Sequence, residues 1–219
     1  MLELVIFDLD GVLVDACEWH RVALNEALQE VYEISLEDHY EIFNGTPTKV
    51  KLNKLTEMNV LSESQHAAVY DLKQTKTIKI INDKAPIRQE KIELLEWFCN
   101  MGLPVACFTN SIRETALLML EKTGIIEYFD YILANEDVTR AKPHPEGYLH
   151  VLEHFDVSNQ NVLIVEDSPK GLEAAYASGC KVLKVENPDD VTITNLKEFI
   201  DENFNSYGRW RKSFYQRRL

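Results

Sequence analysis

Leu2 to Val14 reads L-E-L-V-I-F-D-L-D-G-V-L-V, and the fold turns on this stretch. The apolar run Leu4 to Phe7 is too short for an ordinary helix and is rich in β-branched and aromatic residues, so it reads as a buried strand. Asp8 ends the run, and Asp10 and Gly11 follow it. Two carboxylates at the C-terminal end of a buried strand are costly without a partner. That edge of a parallel sheet is where α/β proteins bind ligands, and a divalent cation suits clustered carboxylates. The alternative is that Asp8 and Asp10 only end the strand and open a turn, where Asp and Gly are common.

Downstream, the pattern switches to helix. Ala16 to Tyr32 carries Trp19, Val22, Ala23, Ala27, Leu28 and Val31 near helical spacing. Glu37 to Phe43 reads as a short helix. Thr46 is expected to cap a helix whose first residue is Pro47, and Ser62 to cap another running to about Ile81. The span 16–84 is therefore expected to be a small helical insertion. Beyond it helices and strands alternate. Helices are expected at 90–100, 113–122, 145–155 and 169–177, and strands at 104–108, 131–134, 162–165 and 181–185. This pattern predicts an α/β fold with a doubly wound, mostly parallel Rossmann-like sheet, covered on both faces. The predicted division is a core of 1–15 plus 85–205, an α-helical cap of 16–84, and a tail of 206–219.

Composition bounds the function classes. The 219 residues carry a net charge of −13, which argues against general affinity for nucleic acid. No apolar run approaches the ~20 residues of a membrane span. No basic leader precedes the first strand, so a cytoplasmic protein is expected. Cys17, Cys99, Cys107 and Cys180 form no C-x-x-C pair and read as buried, reduced thiols. Residues 209–219, R-W-R-K-S-F-Y-Q-R-R-L, hold five basic residues and no acidic ones. This end could dock an acidic partner, nucleic acid or a membrane surface, or simply pack its aromatics or remain disordered.

The chemically unusual residues fall just past strands: Asp8 and Asp10, Thr109 and Asn110, Lys142 in a loop, then Glu166 and Asp167. In a parallel sheet those strand ends share an edge, so the groups can converge. Carboxylates suit Mg²⁺, and a hydroxyl with an ammonium suits phosphate oxygens. A carboxylate can then act as nucleophile and form an aspartyl-phosphate. Singly, each piece has a plainer reading as a helix cap, a surface lysine or a loop.

D-L-D-G at 8–11, T-N-S at 109–111, Lys142 in A-K-P-H-P-E and E-D-S at 166–168 resemble, in order and spacing, the four motifs of the haloacid dehalogenase-like hydrolase superfamily. The likeness covers about residues 2 to 185. It is greatest to the branch holding β-phosphoglucomutase and sugar-phosphate phosphatases, whose helical cap lies between the first two motifs. The resemblance implies that Asp8 is nucleophile and Mg²⁺ ligand. It implies that Asp10 is general acid/base and lends its backbone carbonyl to the metal. Thr109, Asn110 and Lys142 would hold the phosphoryl group, and Glu166 and Asp167 would bind or orient the metal. A cis Lys142–Pro143 peptide is also implied. Asp10 and the Glu166–Asp167 pair argue against dehalogenation, which proceeds without metal.

The expected activity is Mg²⁺-dependent hydrolysis of a small phosphomonoester, a sugar phosphate or nucleotide, with a small phosphorylated metabolite as the partner. A phosphosugar mutase, a phosphonoacetaldehyde hydrolase-like enzyme using a cap lysine, and a non-catalytic binding protein remain alternatives. In the cap, His20, Gly45 and Lys49 are the candidate substrate-facing residues; Lys76 reads better as a solvated lysine. Ala16 departs from the Ser or Thr that the branch often places there.

Overall fold

The computed structural model describes residues 1–29 and 31–204. The basic stretch 209–219 therefore lies outside the described residues.

Five strands, β1 (Leu4–Phe7), β2 (Val105–Phe108), β3 (Tyr131–Leu133), β4 (Val162–Glu166) and β5 (Lys181–Lys184), form one parallel sheet in the order β3-β2-β1-β4-β5. The chain winds from β1 outward through β2 to β3, then returns to the other side of β1. The reversal of strand order therefore lies at β1, where open α/β sheets bind their ligands. Phe7 pairs with Cys107 and with Val165. One residue further on, Asp8, Phe108 and Glu166 stand level along the C-terminal edge.

Between β1 and the next helix of the core lies the helical segment. It contains α1 (Cys17–Leu28), α2 (Leu36–Asp38) running into a π-turn at His39–Phe43, α3 (Thr48–Glu57) and α4 (His66–Lys84). Among the described residues of 16–84 there is no β-strand. The segment has its own apolar cluster, including Leu24, Leu28, Ile34, Phe43, Leu52 and Leu55.

The sheet is covered on both faces. Strand alternation sends Val5, Phe7, Val105 and Cys107 to one side, under α5 (Gln89–Met101), α6 (Arg113–Lys122) and α9 (Ile193–Asn203). Leu4, Ile6, Ala106 and Phe108 face the other side, under α7 (Glu146–Phe155) and α8 (Pro169–Ala177). Among the described residues no helix is long and apolar enough to cross a membrane.

Several boundaries differ from the sequence reading. α1 ends at Leu28 rather than Tyr32, because Gln29 turns left-handed at φ 51°. Thr46 does not cap α3: its hydroxyl donates backward to Phe43 O at 2.7 Å, and the helix begins at Thr48. Ser62 opens one 3₁₀ turn, Glu63–Gln65, with its own N–H donating to Gln65 Oε1 at 2.9 Å. α4 follows and runs to Lys84, three residues past the expected end. α9 escaped the sequence reading, although Ile193, Leu196, Phe199 and Ile200 turn one apolar face to the core. Cys17, Cys107 and Cys180 are buried free thiols, whereas Cys99 is half-buried on α5 instead of fully enclosed.

Candidate active site

The strand ends, the α1 segment and the loops that follow them converge on one pocket beneath the helical segment. Asp8 leaves β1 into a tight loop in which Gly11 has φ 92°. A Cβ on Gly11 would sit 2.2 Å from Asp167 Oδ2, so only glycine allows Asp167 to approach the loop this closely.

Lys142 organises the floor of the pocket. Its Nζ donates to Asp8 Oδ1 at 2.6 Å, to Glu166 Oε2 at 2.7 Å and to Phe108 O at 2.9 Å. All three ammonium hydrogens thus have acceptors. Burial alone would lower the Lys142 pKa, but Asp8 and Glu166 hold it well above the ordinary lysine value. The preceding loop brings it there through a cis Lys142–Pro143 bond.

Glu166 is fully enclosed and fully used. Its Oε2 accepts from Lys142 and from the Tyr148 hydroxyl at 2.8 Å. Its Oε1 accepts from Asp167 N, Ser168 N and Ser168 Oγ, each at 3.1 Å. Burial would raise its pKa, yet Lys142 and these hydrogen bonds bring it below the ordinary value. Gly171 on α8 makes the room: a Cβ there would fall 2.0 Å from the Glu166 carboxyl carbon.

Asp8 and Asp167 are less well served. Burial and Glu166 push Asp8 well above the usual carboxylate range, against the pull of Lys142. Burial and Glu166 likewise push Asp167 up to about 8. Asp167 Oδ1 is buried without a hydrogen-bond partner among the described residues. Carboxylate oxygens of Asp8, Glu166 and Asp167 lie within 4.8 Å of one another. A hard divalent cation fits this donor set: it needs oxygen ligands, would supply the missing partner of Asp167 and would offset the mutual repulsion. With Glu166 already committed to Lys142, Tyr148 and Ser168, Asp8 and Asp167 carry the free donor capacity.

Asp10 faces the other way. Its Oδ1 is 2.9 Å from His20 Nε2; its Oδ2 accepts from Ser111 Oγ at 2.7 Å and Thr109 Oγ1 at 3.2 Å. Burial would raise its pKa, but His20 and the two hydroxyls bring it to about 2. His20 Nδ1 lies 3.2 Å from Lys73 Nζ. An ammonium can only donate, so Nδ1 accepts and the proton belongs on Nε2, toward Asp10. Burial and the Lys73 charge lower the His20 pKa, consistent with a neutral ring.

Asn110 joins three segments. Its Nδ2 donates to Gly45 O at 2.7 Å and to Lys142 O at 3.2 Å, and its Oδ1 accepts from Lys142 N at 3.1 Å. Gly45 is pressed against the core, where a Cβ would meet Ser168 Oγ at 2.8 Å. Lys49 lines the pocket from an exposed position at its rim. Lys76 pairs with Glu26 at 2.9 Å, away from the pocket.

Sequence reasoning left five pocket or near-pocket residues without roles. Ser111 closes the T-N-S motif and Tyr148 follows A-K-P-H-P-E by two residues, but neither was assigned a role. Lys73 lies on the buried stripe Val69–Lys73–Thr77–Ile80 of α4, and Lys51 beside Leu52 and Leu55 on α3. A lysine on an apolar stripe was the available signal. Gln74, next to Lys73, also lines the pocket and carried no signal of its own.

Comparison with known proteins identifies the family. The family model described as haloacid dehalogenase-like hydrolase matches residues 5–185. A phosphorylated carbohydrates phosphatase of Thermotoga maritima is 29% identical over 181 residues, spanning 81% of this chain and 82% of that protein. A phosphoglycolate phosphatase of Nitrosococcus oceani is 24% identical over 189 residues, spanning 83% and 82%. The crystal structure of a β-phosphoglucomutase from Clostridium difficile superposes with TM-score 0.78 at 22% identity, over 92% of this chain and 98% of that one. It shares the fold. With its family model spanning the sheet and every one of the strand-end motifs, this chain belongs to the haloacid dehalogenase-like hydrolases.

Proposed function

We propose that the protein hydrolyses a small phosphomonoester through a phosphorylated Asp8, with Mg²⁺ held by Asp8, Asp167 and the Asp10 carbonyl. The observation that carries this reading is the opposed pair of carboxylates. Asp8 is held by Lys142 on the floor, and Asp10 is held by His20, Ser111 and Thr109 on the wall. On this reading Asp8 attacks phosphorus and Asp10 handles the proton. Relatives named as phosphatases of phosphorylated carbohydrates and of phosphoglycolate support the reaction class.

The bound cation would offset the charge that otherwise sets the phosphate dianion against Asp8. An Asp8 carboxylate oxygen forms the new bond to phosphorus while the ester P–O bond breaks. Asp10 delivers a proton to the departing oxygen, then removes one from the water that cleaves phospho-Asp8. Asp10 as found, ionised and hydrogen-bonded on both oxygens, has the protonation state of the second half-reaction. An arriving dianion raises its pKa toward that of the first half. Thr109 and Lys142 edge the space for the phosphoryl oxygens, and Asn110 holds their loop. We read residues 16–84 as the cap that excludes water from this space.

The test is phosphate release from a panel of sugar phosphates, nucleotides and an aryl phosphate, with Mg²⁺ and with EDTA. Metal-dependent release that is lost in Asp8→Asn supports the proposal. Isomerisation of a sugar phosphate without net release, given a bisphosphate primer, would replace it with the mutase. Binding without turnover would replace it with a non-catalytic protein.

A further inference from the structure

The chain crosses between the sheet domain and the helical segment twice, outward at 14–16 and back at 84–88. A cleft of about 530 Å³ lies against both crossings. Val14 and Asp15 line it from the first crossing, Pro86 and Arg88 from the second. Trp19 of α1 and Ile125, just past α6, add apolar surface. The cleft shares no lining residue with the active-site pocket. Cavities of this size hold small organic molecules.

Its charge is the reverse of the chain's. The protein carries −13 overall. The cleft lining holds three cations, Lys84, Arg88 and Lys91, and one carboxylate, Asp15. The donors of these cations are not used up. Lys91 is 1% exposed. Its Nζ donates to Pro188 O and, at 2.7 Å, to Val191 O. One ammonium hydrogen is left without an acceptor among the described residues. Arg88 pairs through Nε with Glu90 and through Nη2 with Asp189, which leaves Nη1 uncommitted among the described residues. Lys84 is exposed at the end of α4 and forms no ion pair among the described residues. Burial, then the Arg88 charge, lowers Lys91 to about 8. Bulk water serves Lys84 but scarcely reaches Lys91. Surplus donors and positive charge beside apolar surface suit an anion with an apolar body.

The cleft also adjoins the supports of Asp10. Val14 O accepts from Gly11 N at 2.8 Å, and Val14 N donates to Leu9 O at 3.0 Å, so Val14 holds the Asp10 loop. On α1, Trp19 lines the cleft, and the next residue, His20, is 2.9 Å from Asp10. Trp19 and Ala85 both pack against the apolar cluster of the sheet domain. A molecule seated here bears on both crossings and on the helix that carries His20.

We propose that this cleft is a second ligand site, built for a small organic anion with an apolar body, and that its occupancy fixes α1 and both crossings against the sheet domain. The body lies along Trp19 and Ile125, and the anionic group meets Lys91 and Arg88.

The experiment is calorimetric titration of the full chain with three probes. They are naphthalenesulfonate, methanesulfonate, which lacks the apolar body, and naphthalenemethanol, which lacks the charge. Naphthalenesulfonate is expected to bind one to one and at least about tenfold more tightly than either control, since only it uses both features. Lys84→Gln combined with Arg88→Gln should weaken it about 5- to 10-fold and leave the neutral alcohol unchanged. That internal control separates loss of the anion contact from loss of folded protein. By hydrogen exchange, saturating naphthalenesulfonate should slow the amides of α1 and of 84–88 by about threefold or more in the wild type. Equal binding of all three probes, no binding of naphthalenesulfonate, or an affinity that the double variant retains would overturn the site. Competitive displacement of the probe by Mg²⁺ with inorganic phosphate would assign it to the active site and overturn the proposal as well. Binding with unchanged exchange in α1 would keep the site and overturn its hold on the crossings. Neither readout uses turnover, so the site stands or falls apart from the phosphatase.

Discussion

The floor and the wall of the pocket both bury lysines, and they treat them in opposite ways. Lys142 has three acceptors within 2.9 Å and a pKa raised well above the ordinary value. Lys51 has none among the described residues and a pKa lowered to about 8. A lysine whose partners are all protein atoms belongs to a framework assembled before any ligand arrives. Lys51 stands in the same pocket without such a set, so the fold satisfies the floor's lysine and leaves the wall's short of acceptors among the described residues.

Four substitutions sharpen or break this contrast. The largest effect is expected at the centre of the floor: Asp8→Asn should lower phosphate release by roughly 10⁴-fold or more, because removal of a nucleophile leaves only binding and polar stabilisation. A stopped assay with an aryl phosphate and Mg²⁺ reads it, and residual turnover within tenfold of wild type would remove Asp8 from the mechanism. Next, Lys142→Met strips Asp8 and Glu166 of their shared counter-charge. Breaking a buried pair costs about 3–5 kcal/mol, readable by urea unfolding at constant slope.

On the helical side the effects are smaller and of a different kind. His39, on the π-turn, is 1% exposed, and its Nε2 has no partner among the described residues. Burial, then the charges of Lys51 and His20, lower its pKa from 6.5 to about 4. The unfolded chain takes up this proton below 6.5 and the folded chain only near 4. Stability is thus full above pH 6.5 and falls as the pH drops toward 4, by at most on the order of 2–3 kcal/mol. His39→Leu should flatten that part of the profile; an unchanged slope would show that other groups set it. Last, Lys51→Met replaces an unpaired buried cation with an apolar chain of similar length. It should leave the substrate-free protein unchanged or about 1 kcal/mol more stable. The opposite sign from Lys142→Met is the contrast in its barest form, and a loss as large as at Lys142 would erase it.

The centre of the sheet was legible because three of its strands hold short apolar runs, each closed by a polar motif: Phe7 before Asp8, Phe108 before Thr109, Val165 before Glu166. Strand period and strand-end chemistry agree there, and the register then brings Asp8 level with Glu166. Helix ends were less legible. Thr46 looks like a cap in sequence, but its hydroxyl satisfies Phe43 O, because the π-turn before it leaves that carbonyl to be filled. α9 places Ile193, Leu196, Phe199 and Ile200 on one face at helical spacing, so its signal was present and went unread. The wall was the least legible part. Lys49, Lys51, Lys73 and Lys76 are alike as letters, and α4 must first pack on α1 before Lys73 turns inward and Lys76 outward to Glu26.

Gly45 has a bearing on time as well as on shape. With no side chain, it lets its loop settle against Ser168 while its carbonyl takes a hydrogen from Asn110. Asn110 in turn grips both sides of the Lys142 peptide link. Any side chain at position 45 would wedge this seam apart. On the proposed mechanism, a wedged seam would let bulk water reach phospho-Asp8 early. The lifetime of the phosphoenzyme, and with it the chance that an acceptor other than water intercepts the phosphoryl group, is then governed by how tightly one glycine closes.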